Sequence, residues 1–133
     1  MRRICLLLLT LLALTPAVPA AAQVQVQGAY TLTQLEGRVL PAPSPDEDNV
    51  TVHAAALLLG EDGGYTFALQ TSMGDHVRIE HRQATGTYRV EGDTLFLEMD
   101  DGSEPVPLVY ALEEDGRLTL RVPAGYAYTF QRQ

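Results

Sequence analysis

The chain has 133 residues and a formal net charge of −8 at pH 7, with 46% hydrophobic and 20% charged residues. That length suits one hydrophobic core and not two, and the acidic balance opposes the clustered cations that DNA, RNA or anionic lipid would require. The single cysteine, Cys5, sits in the N-terminal segment, so the remainder has no disulfide framework or thiol chemistry and must rely on burial for stability.

Residues 1–22 have a basic start (Arg2, Arg3), an apolar run (Leu6 to Leu14) and a small-residue end (Ala20, Ala21, Ala22). This is the layout of a cleaved Sec-type signal peptide, which predicts a periplasmic or secreted protein. A retained anchor is the alternative, but the apolar run is too short for a bilayer, and Pro16 and Pro19 break the chain just beyond it. Cys5 precedes the apolar run, which argues against lipid attachment. No later segment is apolar enough to span a membrane as a helix. Residues 23–133 are expected to form one domain.

In that domain Tyr30 and Leu32 alternate with Ala29, Thr31 and Thr33. Pro41 to Asn49 is a proline-rich acidic loop, the longest irregular stretch and the expected place for mobility. Val50 to Leu59 is apolar on both faces, consistent with a strand buried on both sides or a short helix. The turn Gly60-Glu-Asp-Gly-Gly64 after it favours a strand. Alternation then continues through Tyr65, Phe67, Leu69 and Met73; Val77 and Ile79; Tyr88 and Val90; Leu95, Leu97 and Met99; Val106, Leu108, Tyr110 and Leu112; Leu118, Leu120 and Val122; and Tyr126, Tyr128 and Phe130. Glycine-containing turns separate these runs and supply the positive φ that tight hairpins need.

Period-two alternation gives each strand one buried and one wet face. The predicted fold is all-β: an antiparallel up-and-down meander of roughly eight or nine strands, closed into a barrel so that no edge is left exposed. A two-sheet sandwich is the alternative, but it usually needs long crossovers, and there is one long loop. A barrel of about eight strands is filled by its own side chains or holds one small ligand.

Two stretches, Gly28-Ala-Tyr-Thr-Leu-Thr-Gln-Leu-Glu-Gly-Arg-Val-Leu-Pro41 and the hairpin series from Gly64 to Phe130, resemble the small exported lipocalin-like (calycin-type) proteins of bacteria. The resemblance implies a barrel, with an apolar cup as the expected interior. Lipocalins carry Gly-x-Trp on the first strand, with an arginine from the last strand packed over the indole. Here Gly28-Ala29-Tyr30 has tyrosine in that place, and the chain has no tryptophan. Arg132 is placed to stack on Tyr30 by a cation–π attraction of about 0.5–2 kcal/mol.

All six tyrosines fall on the predicted inward parity. Tyr30, Tyr65, Phe67, Tyr88, Tyr110, Tyr126 and Tyr128 are the candidate ligand contacts, with several tyrosines expected to form an amphipathic rim at one barrel end. Their bland alternative is ordinary strand chemistry. His53, His76 and His81 lack metal-ligand spacing, and no metal or other cofactor is expected. Asp46, Glu47, Asp48 and Asn49 lack the spacing of a calcium loop and read as a solvated turn. Ser44, Ser72 and Ser103 lie in or beside turns, and no catalytic triad can be placed from spacing. The leading expectation is a non-enzymatic binding module for a small apolar or amphipathic ligand. The second is an envelope accessory domain that binds a protein through the acidic loop and a patch around Phe96 and Val109. An enzyme ranks last.

Overall fold

The computed structural model describes residues 25–75 and 78–133. The expected signal peptide, and His76 and Val77, lie outside them. The described chain forms ten strands: β1 (Gly28–Leu35), β2 (Arg38–Val39), β3 (Ala42–Pro43), β4 (Val50–Leu59), β5 (Gly64–Met73), β6 (Glu80–Glu91), β7 (Thr94–Met99), β8 (Val106–Leu112), β9 (Arg117–Arg121) and β10 (Ala127–Arg132). Each strand from β4 to β10 pairs antiparallel with the next, β10 returns to β1, and β1 pairs with β4. The all-β prediction is therefore met by a closed antiparallel barrel of eight strands, with β2 and β3 as short additions.

Alternation decides which side chains meet inside. Tyr30, Leu57, Leu59, Tyr65, Tyr88, Leu95, Leu118, Leu120 and Phe130 are all buried in one core. Two irregularities shift this alternation. In β4 the pairing slips between Val52 and Ala54, leaving His53 as the extra residue. Val50 and Val52 point inward before the slip; Ala55, Leu57 and Leu59 point inward after it. One extra residue reverses the faces of everything beyond it, which is why Val50 to Leu59 reads as apolar on both sides. A second slip in β1, between Leu32 and Gln34, does the same for Leu32 and Leu35.

The β1/β4 seam is short. Gly28 to Thr31 pair with Ala56 to Leu59, and the two strands then take separate partners: β2 on β1, and β3 on β4. The connection between them fills the gap. Its Ala42 is buried, and Leu40 packs against the core. Part of the expected irregular loop is thus strand and core. Two further expectations are corrected: Ile79 lies outside any strand, and Met73 ends β5 exposed.

At the end where β1 begins, Val26 is fully buried and stops the barrel, so this is the closed end. The β4–β5, β6–β7 and β8–β9 turns lie there. The opposite end carries the β5–β6, β7–β8 and β9–β10 connections and the long segment between β1 and β4.

Candidate functional site

The inner face of β6 makes room in this core. Registered rows run Leu57–Phe67–Ala84 and Tyr65–Gly86–Met99 across neighbouring strands. Large side chains from β4, β5 and β7 therefore face a methyl group and a hydrogen on β6. A Cβ on Gly86 would lie 1.9 Å from the Glu98 carbonyl oxygen and 2.8 Å from the Tyr65 ring, so this position admits glycine alone without a backbone shift. Beside Ala84 lies a cavity of about 180 Å³, walled by side chains including Phe67, Leu97, Met99, Val106, Leu120 and Tyr128. Met99 and Val106 flank the β7–β8 connection, so the cavity faces the open end.

Three of the seven candidate contacts, Tyr65, Phe67 and Tyr128, line this cavity. Tyr126 stands beside it, its ring 5.7 Å from that of Tyr128 in an edge-on arrangement. Phe67 meets Tyr128 edge-on at 6.4 Å, and Tyr128 stacks on Phe130 at 6.2 Å.

The other three tyrosines belong to the closed end, so they are not brought together with the cavity group. Tyr30 donates to the Val26 carbonyl at 2.7 Å and accepts from Arg132 Nη2 at 2.7 Å. Tyr88 donates to the Gly60 carbonyl at 2.8 Å, and Tyr110 to the Gly92 carbonyl at 3.2 Å. Each fastens a phenol to a turn or an end segment, and for the buried Tyr30 and Tyr88 this is the satisfaction that a buried hydroxyl demands. The expected pairing of Arg132 with Tyr30 is present, the guanidinium carbon lying 5.3 Å from the ring centroid. Arg132 also donates to the Gln25 and Gln27 carbonyls, tying the segment before β1 to the last strand.

The segment between β3 and β4 crosses the open end. Glu47 pairs with Arg82 of β6 at 2.7 Å, while the charge of Asp46 acts on Tyr126, just before β10. Strands β6 and β10 stand opposite one another in the ring of eight. Ser44 donates to Asp46 at 2.6 Å and braces the segment.

The cavity phenols resist ionisation. Burial raises Tyr128 far above the ordinary value of 10.0, and Tyr126, Asp46 and Glu47 add to the shift. Burial also raises Tyr65, followed by the charges of Asp100 and Asp101 in the β7–β8 connection. Tyr126 is raised by burial first and by Asp46, against a lowering hydrogen bond with Tyr128. Carboxylates from two connections thus act on the rings of the cavity and its lip.

Outside the barrel, His53 Nε2 lies 2.7 Å from Ser72 Oγ. Spacing could not show this pair, because it depends on the β4 bulge and the register of β5. Ser72 is buried, no carboxylate pairs with His53 among the described residues, and neither residue lines the cavity. A nucleophilic serine needs an accessible oxygen and an oriented base, so the pair is read as structural. Among the described residues, no three metal-ligating side chains gather, and no helix is long and apolar enough to cross a membrane.

Four other depressions are larger. One of about 360 Å³ has Ala54, Ala56 and Ala68 among its walls, with Gln70, His81 and Gln83. Another of about 750 Å³ lies at the closed end, with Tyr110, Glu113 and Arg132. The other two, of about 420 and 270 Å³, lie along β1 and β4, with Gln27 and Glu61 in the wall of one and Thr66 and Gln133 in the wall of the other. All four bring polar side chains into their walls, whereas the cavity beside Ala84 is walled by aliphatic and aromatic side chains, as ligand sites typically are. The interior cavity is the candidate site. No protein-family model, curated protein or solved structure matches this chain.

Proposed function

We propose that this chain is an exported, non-enzymatic binding module of lipocalin-like type, carrying a small apolar or amphipathic ligand. The observation that supports it is the cavity of about 180 Å³ at the open end, walled by aromatic and aliphatic side chains. An apolar cavity of about 150 Å³ stays dry and binds benzene, whereas sites for drug-sized molecules reach about 300–1,000 Å³. The volume therefore suits a benzene-sized body or the end of a longer chain. Lipocalin-like membership is supported by the eight-stranded ring, the Gly28-Ala29-Tyr30 opening and Arg132 over Tyr30.

The second reading, a protein-binding envelope domain, has Val109 in its favour, half exposed on β8. Its neighbour in that patch, Phe96, is covered by Arg89 at 4.3 Å, and Arg82 holds the acidic segment down. The cavity favours the first reading.

Native mass spectrometry of the protein purified from its own envelope tests it. A reproducible extra mass lost on denaturation supports the carrier and weighs its ligand. A bare mass favours a protein acting through its surface.

A further inference from the structure

We propose that the cavity selects an organic cation: a compact aromatic or branched-alkyl ammonium compound, its body inside the barrel and its charged head at the open end. This rests on the reading of the cavity as a ligand site. The wall is almost wholly apolar, so a polar head must stay at the mouth.

Three sets of groups wait there. The first is aromatic: Phe67 and Tyr128 in the wall, with Tyr126 packed edge-on against Tyr128. Ring faces carry negative potential and attract ammonium groups. The second is carboxylate. Asp46 lies in the segment that crosses this end, accepting from Ser44, and its charge acts on Tyr126 and Tyr128. Asp100 and Asp101 follow Met99 directly in the β7–β8 connection, where they accept from Thr85 and Ser103. Their charges are felt at Tyr65 in the wall. The third is a cation, Arg82, already engaged by Glu47 at 2.7 Å. An anionic head would meet carboxylates and ring faces together, while an ammonium is attracted by both. Volume limits the body to about the size of benzene.

Three probes with one body and different heads separate the possibilities: phenethylammonium, 2-phenylethanol and 3-phenylpropanoate, titrated against the protein by NMR at low ionic strength. The ammonium is expected to bind at least fivefold tighter than the alcohol, and the carboxylate more weakly than the alcohol. Salt should shrink that advantage by screening. Asp46→Asn with Asp100→Asn should abolish it and leave alcohol binding unchanged. Glu61→Gln with Glu114→Gln removes the same charge at the closed end and should preserve it.

Equal binding of ammonium and alcohol overturns the proposal and leaves the cavity reading standing. An equal loss in both double variants also overturns it, by tracing the preference to the net charge of the whole molecule. Failure of all three probes to bind overturns both readings.

Discussion

Tyr30 carries three attachments: its ring lies beneath Arg132, its hydroxyl donates to Val26, and its oxygen accepts from Arg132. Tyr30→Phe keeps the packing and leaves the Val26 carbonyl and the guanidinium short of a partner. A loss of about 1–3 kcal/mol is expected for stranding such groups, measured by urea denaturation. The tyrosines also set an alkaline limit. Tyr30, Tyr65, Tyr88, Tyr126 and Tyr128 are all raised above 10.0, burial being the largest cause in each. Above that pH the unfolded chain has released phenolic protons that the folded chain still holds, so stability falls as pH rises. The stabilisation is complete below about pH 10 and is lost as pH climbs through the folded-state values. Denaturation midpoints should therefore decline above pH 10, and phenolate absorbance should show folded-state titration displaced upward. Midpoints that stay level would contradict this.

The strand β6 shows how an element creates a site by leaving residues small. Gly86→Ala should destabilise by about 1–3 kcal/mol or more, because the new methyl collides with backbone as well as with a ring. Ala84→Leu should do the opposite, filling the cavity, raising stability by about 0.5–2 kcal/mol and blocking ligand binding. Thermal denaturation and the mass measurement together check that trade. Across the open end, Glu47→Gln should cost no more than about 1 kcal/mol, since both partners in its ion pair are substantially exposed. The strands were legible in the sequence because inward leucines and tyrosines alternate and glycine turns punctuate them. Arg132 over Tyr30 was legible because both ends of the chain had to meet in a closed meander. The bulges at Thr33 and His53 were not, since one unpaired residue leaves no compositional mark. The cavity was hidden too: Ala84 and Gly86 matter only when the register sets them beside Phe67 and Tyr65. The division of the tyrosines between two ends depends on strand direction as well as parity, and parity alone suggested a single rim.

As a whole the molecule is a ring joined late. Strands β4 to β10 each pair with their predecessor in sequence, and such local pairings form readily. The two contacts that make the ring are β1 with β10 and β1 with β4. The strand β10 stands between β9 and β1, and Phe130 is buried at its centre. While β10 is still inside the ribosome, β1 has nothing along the edge that will receive it, and Tyr30 lacks Arg132. Chains arrested before β10 emerges should be digested quickly by protease, and chains extended past it by a linker should resist. The cavity walled by Tyr128 and Phe130 therefore comes into being only with the last strand, so no earlier hairpin of the ribbon holds a finished site.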